Sequence, residues 1–496
     1  MKPIRVLLVA IAAVVALLAS QAAASAAIPS LPTDLLSNLL SPAFTGTPAT
    51  AQPIPAAVPP QNPFLAPDGT NSMHNDAYGT NAYQVSGPLG NKLKVSSASY
   101  GISECATIAF DSRGRIVGLC GGLQGFNLRL IDQTTLKTIA TLTTSTRSLV
   151  SLLTSNPFSD LCGGTYFYLD SHDVAYVVTT DKKIIKVQVG ADSLKKIGSY
   201  DVAAATPDKD CLIATMPDWS GNIFFATQEG RVGVVNPTTG TVKSIQFSGE
   251  GIFNSMSGDE TGAVYVVTDH KLYSVAADSD GAPYVRWATA YDRGSKQKPG
   301  QLSQGSGTTP TLLDNGLIAI TDNADPQMHV QFYQRSGPDA GKLVCQAAVF
   351  ASGASDTENS LAKAGPDSVI VENNYGYQGV QSTLLGMTTS PGVAKVSADD
   401  GDCKVDWTNP IVAPTSVPKT SLANGLVYVY AKPKGNLLSD NWYFTAIDIR
   451  TGKTQWMQRT GNGIQWNNHY ASIYVGPDGA AYIATLAGLI RFKDGA

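Results

Sequence analysis

The sequence predicts an all-β protein folded as a single β-propeller of eight blades. First, from about residue 100 one pattern recurs, in which a short apolar strand, an Asp/Gly turn and a second apolar strand follow one another. Second, successive turns lie roughly 40 to 60 residues apart, which is the spacing of propeller blades. Third, the strands after the turns are almost continuously hydrophobic, which predicts burial on both faces. Seven blades with one misassigned unit is the alternative.

The turns define the eight units. Asp and Asn cap such turns through their side chains, and Gly adopts the positive φ that closes a hairpin. In order they are "DSRG" (111–114), "DSHD" (170–173), "DWSG" (218–221), "DETG" (259–262), "DNG" (314–316), "GPDS" (365–368), "ANG" (423–425) and "GPDG" (476–479). The strands that follow, such as "AVYVVT" and "VIVEN", are rich in β-branched and aromatic residues.

The eighth unit begins at Asn468 and has too few strands before Ala496. The segments "AYQVSG" (82–87) and "KLKVSS" (92–97) are predicted to supply its missing outer strand. Closing the ring with an N-terminal strand leaves no free sheet edge. The propeller domain is therefore predicted to span 68–496.

The N-terminus has the pattern of an export signal. Lys2 and Arg5 precede an apolar run that is too short for a membrane span, and small residues allow cleavage before Ala27. We predict a signal peptide over 1–26 and a Pro/Ala-rich linker over 27–67. The mature protein is expected to be secreted, without a membrane span, and monomeric.

The charge pattern excludes one class of partner. The formal net charge is −4, only 15% of the residues are charged, and there is no basic run. Nucleic-acid binding is therefore not expected.

Six cysteines in an exported chain predict three disulfides, with free buried cysteines as the alternative. A turn at Ser112 and Arg113 places Cys105 opposite Cys120 across a hairpin. The repeat register pairs the remaining four between neighbouring blades, as Cys162 with Cys211 and Cys345 with Cys403.

Unit seven carries a further motif, "FTAIDIRTGKTQWMQ". It has the spacing A-x-D-x-x-T-G-x-x-x-W, formed by Ala446, Asp448, Thr451, Gly452 and Trp456. This resembles the tryptophan-docking repeat of the quinoprotein alcohol dehydrogenase-like (PQQ-like) β-propeller superfamily. The resemblance implies that each tryptophan packs on the next blade near the glycine. Weaker copies end on Trp287 and Trp407.

A propeller brings two kinds of residue to one face around its axis, those that lead into each innermost strand and those that leave each second strand. Acids and amides are concentrated at these positions, which predicts a polar ligand or metal site in the central funnel. The predicted catalytic residues are Glu104, Glu358, Glu372 and His469. The predicted ligand-binding residues are Asn323, Asn359, Asn373, Asn374 and Tyr375. The predicted metal ligands are Asp322 and Glu372, with Ca²⁺ as the candidate ion. The alternative role of these residues is to cap loops.

Three functions are compatible with this pattern. The first is a metal-assisted or acid–base enzyme acting on a small polar or carbohydrate-like substrate. The second is a non-catalytic propeller that binds a small polar molecule or a cell-envelope component. The third is a quinone-dependent dehydrogenase. Dehydrogenases that the motif resembles commonly carry two adjacent cysteines over the cofactor, and this chain has no Cys-Cys pair, so PQQ is disfavoured.

Overall fold

The computed structural model describes residues 26–29, 41–71, 74–122, 125–146, 162–163, 166–207, 209–436 and 439–495. The predicted signal peptide lies outside the described residues except for its last position. Within the described ranges, no helix is both long and apolar enough to cross a membrane.

The described chain forms an eight-bladed β-propeller, as predicted. Blades one to six are four-stranded antiparallel sheets whose strands follow chain order from the axis outward, and blades seven and eight add N-terminal strands to this plan. Three strands precede the first complete blade, β1 (Phe44–Gly46), β2 (Ala82–Tyr83) and β3 (Lys94–Ser99). Blades one to four contain β4 (Ser103–Phe110), β5 (Ile116–Gly122), β6 (Gly125–Ile131), β7 (Thr138–Thr146); β8 (Phe167–Leu169), β9 (Val174–Val178), β10 (Lys183–Val189), β11 (Leu194–Asp201); β12 (Leu212–Pro217), β13 (Ile223–Thr227), β14 (Arg231–Val235), β15 (Val242–Gln246); and β16 (Ser257–Gly258), β17 (Val264–Val267), β18 (Lys271–Ala277), β19 (Pro283–Ala290).

Blades five to eight follow in the same way. They contain β20 (Thr311–Leu312), β21 (Leu317–Thr321), β22 (His329–Gln334), β23 (Leu343–Ala348); β24 (Ala362–Lys363), β25 (Ser368–Glu372), β26 (Val393–Asp399), β27 (Asp402–Asn409); β28 (Lys419–Ser421), β29 (Leu426–Ala431), β30 (Asn441–Asp448), β31 (Thr454–Asn462); and β32 (Ile473–Val475), β33 (Ala481–Thr485), β34 (Gly488–Lys493). Short 3₁₀ turns occur at Ala203–Ala205, Asp314–Gly316, Val380–Thr383 and Ile464–Trp466.

The position of a strand in its blade explains its composition. Second strands such as β17 and β25 are buried along their whole length, because neighbouring blades cover both faces. Outer strands such as β19 alternate between half-buried and exposed residues, because only one face meets a neighbour. The hydrophobic core therefore consists of layers between blades.

The ring closes with an N-terminal strand, as predicted. Strand β3 pairs antiparallel with β34, from Lys94 opposite Lys493 to Ser99 opposite Gly488. The segment 82–87 has a different role from the one predicted. Its strand β2 pairs parallel with β28 of blade seven, and β1 pairs with β31 at the outer edge of that blade, which becomes six-stranded.

The docking tryptophans fasten neighbouring blades. A Cβ on Gly452 would lie 2.5 Å from the ring of Trp407, whose indole N–H donates to the Ile449 carbonyl oxygen at 2.8 Å. Trp287 contacts Gly341 of the next blade in the same manner. The packing that the motif implies is therefore present at both weaker copies.

The three predicted disulfides form. Cys105–Cys120 lies within blade one, between β4 and β5. Cys162–Cys211 joins the segments that lead into the innermost strands of blades two and three, and Cys345–Cys403 joins the outer strands of blades five and six. Two of the three bonds therefore link neighbouring blades.

The innermost strands define two faces, the loop face where they begin and the turn face where they end at the Asp/Gly turns. An N-terminal arm, described over residues 66–71 and 74–83, runs from blade to blade across the turn face. The backbone N–H groups of Phe110, Gly258, Leu312, Lys363 and Thr420 donate to carbonyl oxygens of this arm. These donors belong to or adjoin innermost strands of five blades, so the arm closes this end of the ring.

Candidate functional site

A cavity of about 680 Å³ opens on the loop face. Three segments form its wall: the connection between β19 and β20, the connection after β25, and the segment that leads into β32. The lining residues are Lys296, Gln297, Lys298, Pro299, Gly300, Gln301, Leu302, Tyr375, Tyr377, Gln378, Gly379, His469 and Tyr470. The cavity lies on the face for which the sequence predicts a polar site, and a ligand or metal there stays a prediction.

The connection between β19 and β20 is held in place by the end of a second strand. Asn323 follows β21, and its amide Nδ2 donates to the carbonyl oxygens of Arg293 at 2.8 Å and Lys296 at 3.1 Å. Its Oδ1 is buried and has no hydrogen-bond partner. Asn323, predicted to bind ligand, thus positions one wall of the cavity.

Aromatic rings form the opposite wall. Tyr377 and Tyr470 meet edge to face with ring centroids 5.3 Å apart, and the His469 ring lies 6.1 Å from Tyr377. The Tyr470 hydroxyl donates to the Gly300 carbonyl oxygen at 2.8 Å, which ties the two walls together. Tyr375 lies beside them and is half-buried.

His469 and Tyr470 have backbone conformations that are unfavourable for side-chain-bearing residues. Their φ angles are 37° and 68°, and two consecutive left-handed residues cost conformational energy. His469 Nδ1 lies 3.6 Å from Oε2 of Glu104, whereas Oε1 of Glu104 is buried without a partner. Burial raises the pKa of Glu104, and the nearby imidazole opposes that shift. Two predicted catalytic residues therefore lie together at the cavity.

Asn374 connects the acids of blade six. Its Oδ1 accepts from the Glu358 backbone N–H at 2.7 Å and from the Thr357 hydroxyl at 3.1 Å. Its Nδ2 donates to Oε1 of Glu372 and to the Pro414 carbonyl oxygen, both at 2.8 Å. All its hydrogen-bonding groups are used within the protein, so it orders the site instead of facing a ligand.

Glu372 is enclosed by amides. Its Oε2 accepts from Asn359 Nδ2 at 2.5 Å, while Asn374 holds the other oxygen. Burial raises the pKa of Glu372 well above its usual value, and the amide hydrogen bonds oppose this only in part. Both carboxyl oxygens are therefore occupied by amide hydrogen bonds, and burial disfavours the charged form of the side chain.

Glu358 and Asp356 have carboxyl oxygens without protein partners. Oε2 of Glu358 accepts from the Leu302 N–H at 3.0 Å, and Oε1 has no partner. Neither side-chain oxygen of Asp356 has one. Burial raises the pKa of Glu358 to about 8 and that of Asp356 well above its usual value, the latter with a further contribution from Glu358. These acids lie directly behind the cavity wall, since a Cβ on Gly300 would lie 2.5 Å from Asp356 Oδ1.

Asp322 and Asn373 are committed to their own loops. Asp322 accepts from the His329 backbone N–H at 2.6 Å and pairs with the His329 ring at 2.8 Å. Asn373 accepts from the backbone N–H groups of Asp356 and Tyr375, and donates to two carbonyl oxygens. Their hydrogen-bonding capacity is used in holding these loops.

No group of three or more His, Cys, Asp or Glu side chains in the described ranges is arranged to hold a metal ion. Asp322 and Glu372, the predicted ligands, direct their oxygens at His329 and at amide nitrogens. The described side chains therefore do not form a Ca²⁺ site by themselves, and calcium stays a prediction.

Three residues of the site were missed by sequence reasoning. Asp356 stands two positions before Glu358 in "SDTENS", so the same segment signalled it. Tyr470 follows the predicted His469 directly. Lys298 gave no signal, because it lies in a long connection without strand pattern and reaches the cavity only in the folded ring.

Comparison with known proteins identifies the fold. No family model matches the chain. An uncharacterized protein of Archaeoglobus fulgidus is 27% identical over 306 residues, which are 55% of this chain and 59% of that protein. The match thus spans well under two thirds of the length of this curated relative.

Solved structures give the architecture. The quinohemoprotein alcohol dehydrogenase of Comamonas testosteroni aligns with a TM-score of 0.58 at 12% identity, over 88% of this chain and 81% of that one. A europium-containing methanol dehydrogenase aligns with a TM-score of 0.52 at 14% identity, over 83% and 88%. BamB from Moraxella catarrhalis aligns over 85% and 95% with a TM-score of only 0.46 at 12% identity. The two dehydrogenase alignments establish a PQQ-like propeller at the level of the fold.

Proposed function

Starting from this PQQ-like propeller fold, we propose that the protein is exported and binds a small, hydroxyl-rich molecule of sugar-like chemistry in the cavity on the loop face. One observation carries the proposal, the aromatic and polar cavity of about 680 Å³ at the axis. Ligand pockets commonly measure about 300–1,000 Å³ and combine aromatic surface with a few placed polar groups. Export is supported by the N-terminal pattern together with three disulfides.

The wall chemistry matches a polyol better than an apolar ligand. A sugar ring presents C–H faces, for which Tyr377 and Tyr470 supply apolar surface, and hydroxyl groups, for which Lys296 and Gln378 supply polar groups. The second wall is tied to the first by the Tyr470 hydroxyl. The site is therefore largely formed before a ligand arrives, which lowers the entropic cost of binding.

Titration calorimetry against a panel of monosaccharides, disaccharides and polyols tests this function. We expect at least one binder, and we expect Tyr375→Ala and Tyr470→Ala to weaken it. Tyr284→Ala is the matched control, because Tyr284 is exposed on outer strand β19. If no member of the panel binds, or if the control weakens binding equally, the proposal is wrong.

A second candidate is acid–base catalysis on the same ligand, favoured by Glu358. A pKa of about 8 keeps this carboxyl protonated at neutral pH, and its partnerless Oε1 is able to donate a proton. Glu358→Gln should then retain ligand binding while product formation, followed by mass spectrometry, stops. Binding without turnover in the unaltered protein would favour the non-catalytic alternative.

The quinone-dependent alternative has less support. All six cysteines are paired in disulfides between non-adjacent residues, so the adjacent cysteine pair common in quinoprotein dehydrogenases has no counterpart. The likeness to the two dehydrogenases concerns the fold alone. An absorbance scan after reconstitution with the quinone and Ca²⁺ tests this alternative, since a bound quinone would add its own absorption.

A further inference from the structure

Resting on the proposed function, we propose that the ligand of the cavity carries a carboxylate, as a sugar acid does, and that Lys296 and Lys298 recognise it. The two side chains belong to one wall and stand two positions apart. The opposite wall, with its tyrosines, would hold the ring of such a ligand. The argument depends on the charges around the cavity, on the surroundings of Lys298 and on the rigidity of its loop.

The lining has cationic side chains and lacks anionic ones. Two lysines occur among the described residues that line the cavity, and none of these lining residues is Asp or Glu. Burial disfavours the charged forms of the acids just behind the wall, since it raises the pKa of Glu358 to about 8 and that of Asp356 well above its usual value. An anionic group that enters the cavity therefore meets two lysines and no carboxylate among the described lining residues.

Lys298 is a buried cation with few partners. The residue is only 6% exposed. Its Nζ donates to the Ala324 carbonyl oxygen at 2.6 Å, and a carboxylate oxygen of Asp325 lies 3.9 Å away. An ammonium has three N–H groups, so it can accept a further anionic partner. Burial lowers the pKa of Lys298, which indicates that desolvation outweighs the attraction of the surrounding acids.

The remaining acids near Lys298 compete weakly with a ligand. Asp325 has a 42% exposed side chain and Asp292 is exposed, so water screens both. Asp322 is buried but already paired with His329 at 2.8 Å. A ligand carboxylate in the cavity would be desolvated beside Lys298, where a charge-assisted hydrogen bond is stronger.

The segment that carries the two lysines is fixed. Asn323 holds the Lys296 carbonyl oxygen, the Gln301 side chain accepts from the Lys298 backbone N–H at 3.0 Å, and Asp325 accepts from the Ser295 N–H at 2.7 Å. Ammonium groups on a fixed backbone need less ordering when they bind an anion. Lys296 itself is exposed at the mouth and would meet the ligand first.

Calorimetry with matched pairs tests this inference. D-glucuronate is compared with D-glucose, and D-galacturonate with D-galactose, because each pair differs only in the carboxylate. We expect the acid of at least one pair to bind about tenfold more tightly or better at low salt, and the preference to fall with ionic strength. Lys296→Gln should reduce the preference, and the double variant with Lys298→Gln should abolish it. Lys342→Gln is the control, since this exposed lysine pairs with Asp339 away from the cavity.

The outcomes separate the two proposals. Neutral sugars that bind as tightly as their acids would overturn the carboxylate inference and leave the proposed function standing. Absence of binding by every member of both pairs and of the wider sugar panel would overturn both. Inorganic phosphate forms a further arm: if it displaces the sugar acid at equal concentration, the site recognises any anion and the inference is wrong. Normal thermal melts of the variants exclude loss of folding as the cause.

Discussion

The two faces of the propeller differ at its axis, because the turn face is closed and the loop face opens into a cavity. On the turn face, the N-terminal arm covers the axis and its backbone carbonyl groups accept hydrogen bonds from five blades. On the loop face, side chains surround a cavity, and the carboxyl oxygens behind it lack protein partners. Both ends are polar. A backbone closure stabilises the ring, whereas partnerless side-chain oxygens beside a cavity indicate a place for a ligand.

The same distinction holds within the loop face. Asn374 and Asp322 look like ligand-binding residues in the sequence, yet their hydrogen bonds are used within the protein. Glu358 and Asp356 are equally buried and keep free oxygens. Hydrogen-bond saturation therefore separates residues whose polar groups are all used within the protein from residues behind the cavity wall that keep unpaired carboxyl oxygens.

The largest expected loss of stability comes from a substitution in the core between blades, which supports both the turn face and the loop face. Val371 is 1% exposed in β25 between two blades. Val371→Asp would bury a charge without a partner, and we expect a loss of more than about 4 kcal/mol in the free energy of unfolding. A thermal melt measures it. Val371→Ala is the control with a cavity but no charge, and equal melts for the two variants would contradict the reason given.

The closed end should respond through stability alone. Asn81 contacts His74 and Lys419, donates to the Leu361 carbonyl oxygen at 2.7 Å, and has a φ of 54°. Asn81→Ala loses these bonds and strains a left-handed residue, at a cost of about 3 kcal/mol. Chemical denaturation measures this cost. Calorimetry under conditions in which the variant is fully folded should show an unchanged affinity for the ligand. An altered ligand affinity in a folded Asn81→Ala variant would contradict the idea that the turn face contributes only to stability.

A saturated residue at the open end should also act through stability. Asn373→Ala leaves the Asp356 and Tyr375 backbone N–H groups without their acceptor, and we expect a cost of about 2 kcal/mol by chemical denaturation. Glu372→Gln is the contrast, because a carboxyl group whose pKa is raised by burial is replaced by a neutral side chain of the same shape. We expect less than about 1 kcal/mol for it. The reverse ranking would show that Glu372 supports the fold more than Asn373 does.

Glu358 should make stability depend on pH. Its pKa is raised from 4.5 to about 8 in the folded protein, so the folded state keeps a proton that the unfolded state releases between these values. Stability should therefore fall as pH rises through this window. Glu358→Gln should reduce that fall and melt higher than the unaltered protein above about pH 8. Melting temperatures of both proteins across the window measure the difference, and parallel curves would contradict it.

The fold was largely predictable because its signals are local and repeated. Eight turns, the register of six cysteines and the spacing from Gly452 to Trp456 sufficed for the blades, the disulfides and the docking contacts. The arm was not predictable in its position, since "TNSMHNDAYGTNAY" has no strand period and its partners lie on distant blades. The position of the arm is set by backbone N–H groups at the ends of the innermost strands, which donate to its carbonyl oxygens on the turn face.

The cavity lies on the face for which the sequence predicted a polar site, and the roles given to its residues stay predictions. Of the residues predicted to be catalytic, His469 lines the cavity and Glu104 lies beside His469. Strand position does not reveal whether an oxygen is already occupied, and Asp322 shows this, because its partner His329 lies seven positions further on across a hairpin. Lys298 was missed because an irregular connection carries it to the cavity.

Ring closure by β3 has a consequence for biogenesis. Lys94 pairs with Lys493, and β1 and β2 pair with strands of blade seven, so the earliest strands of the propeller need the latest ones. A chain that emerges N-terminus first must keep these edge-forming segments unpaired until nearly all of it has been delivered. Premature stop codons within blade eight would therefore leave exposed sheet edges that promote aggregation. Protection from aggregation is reached only at the final stage of translation or translocation, when the last strands can pair.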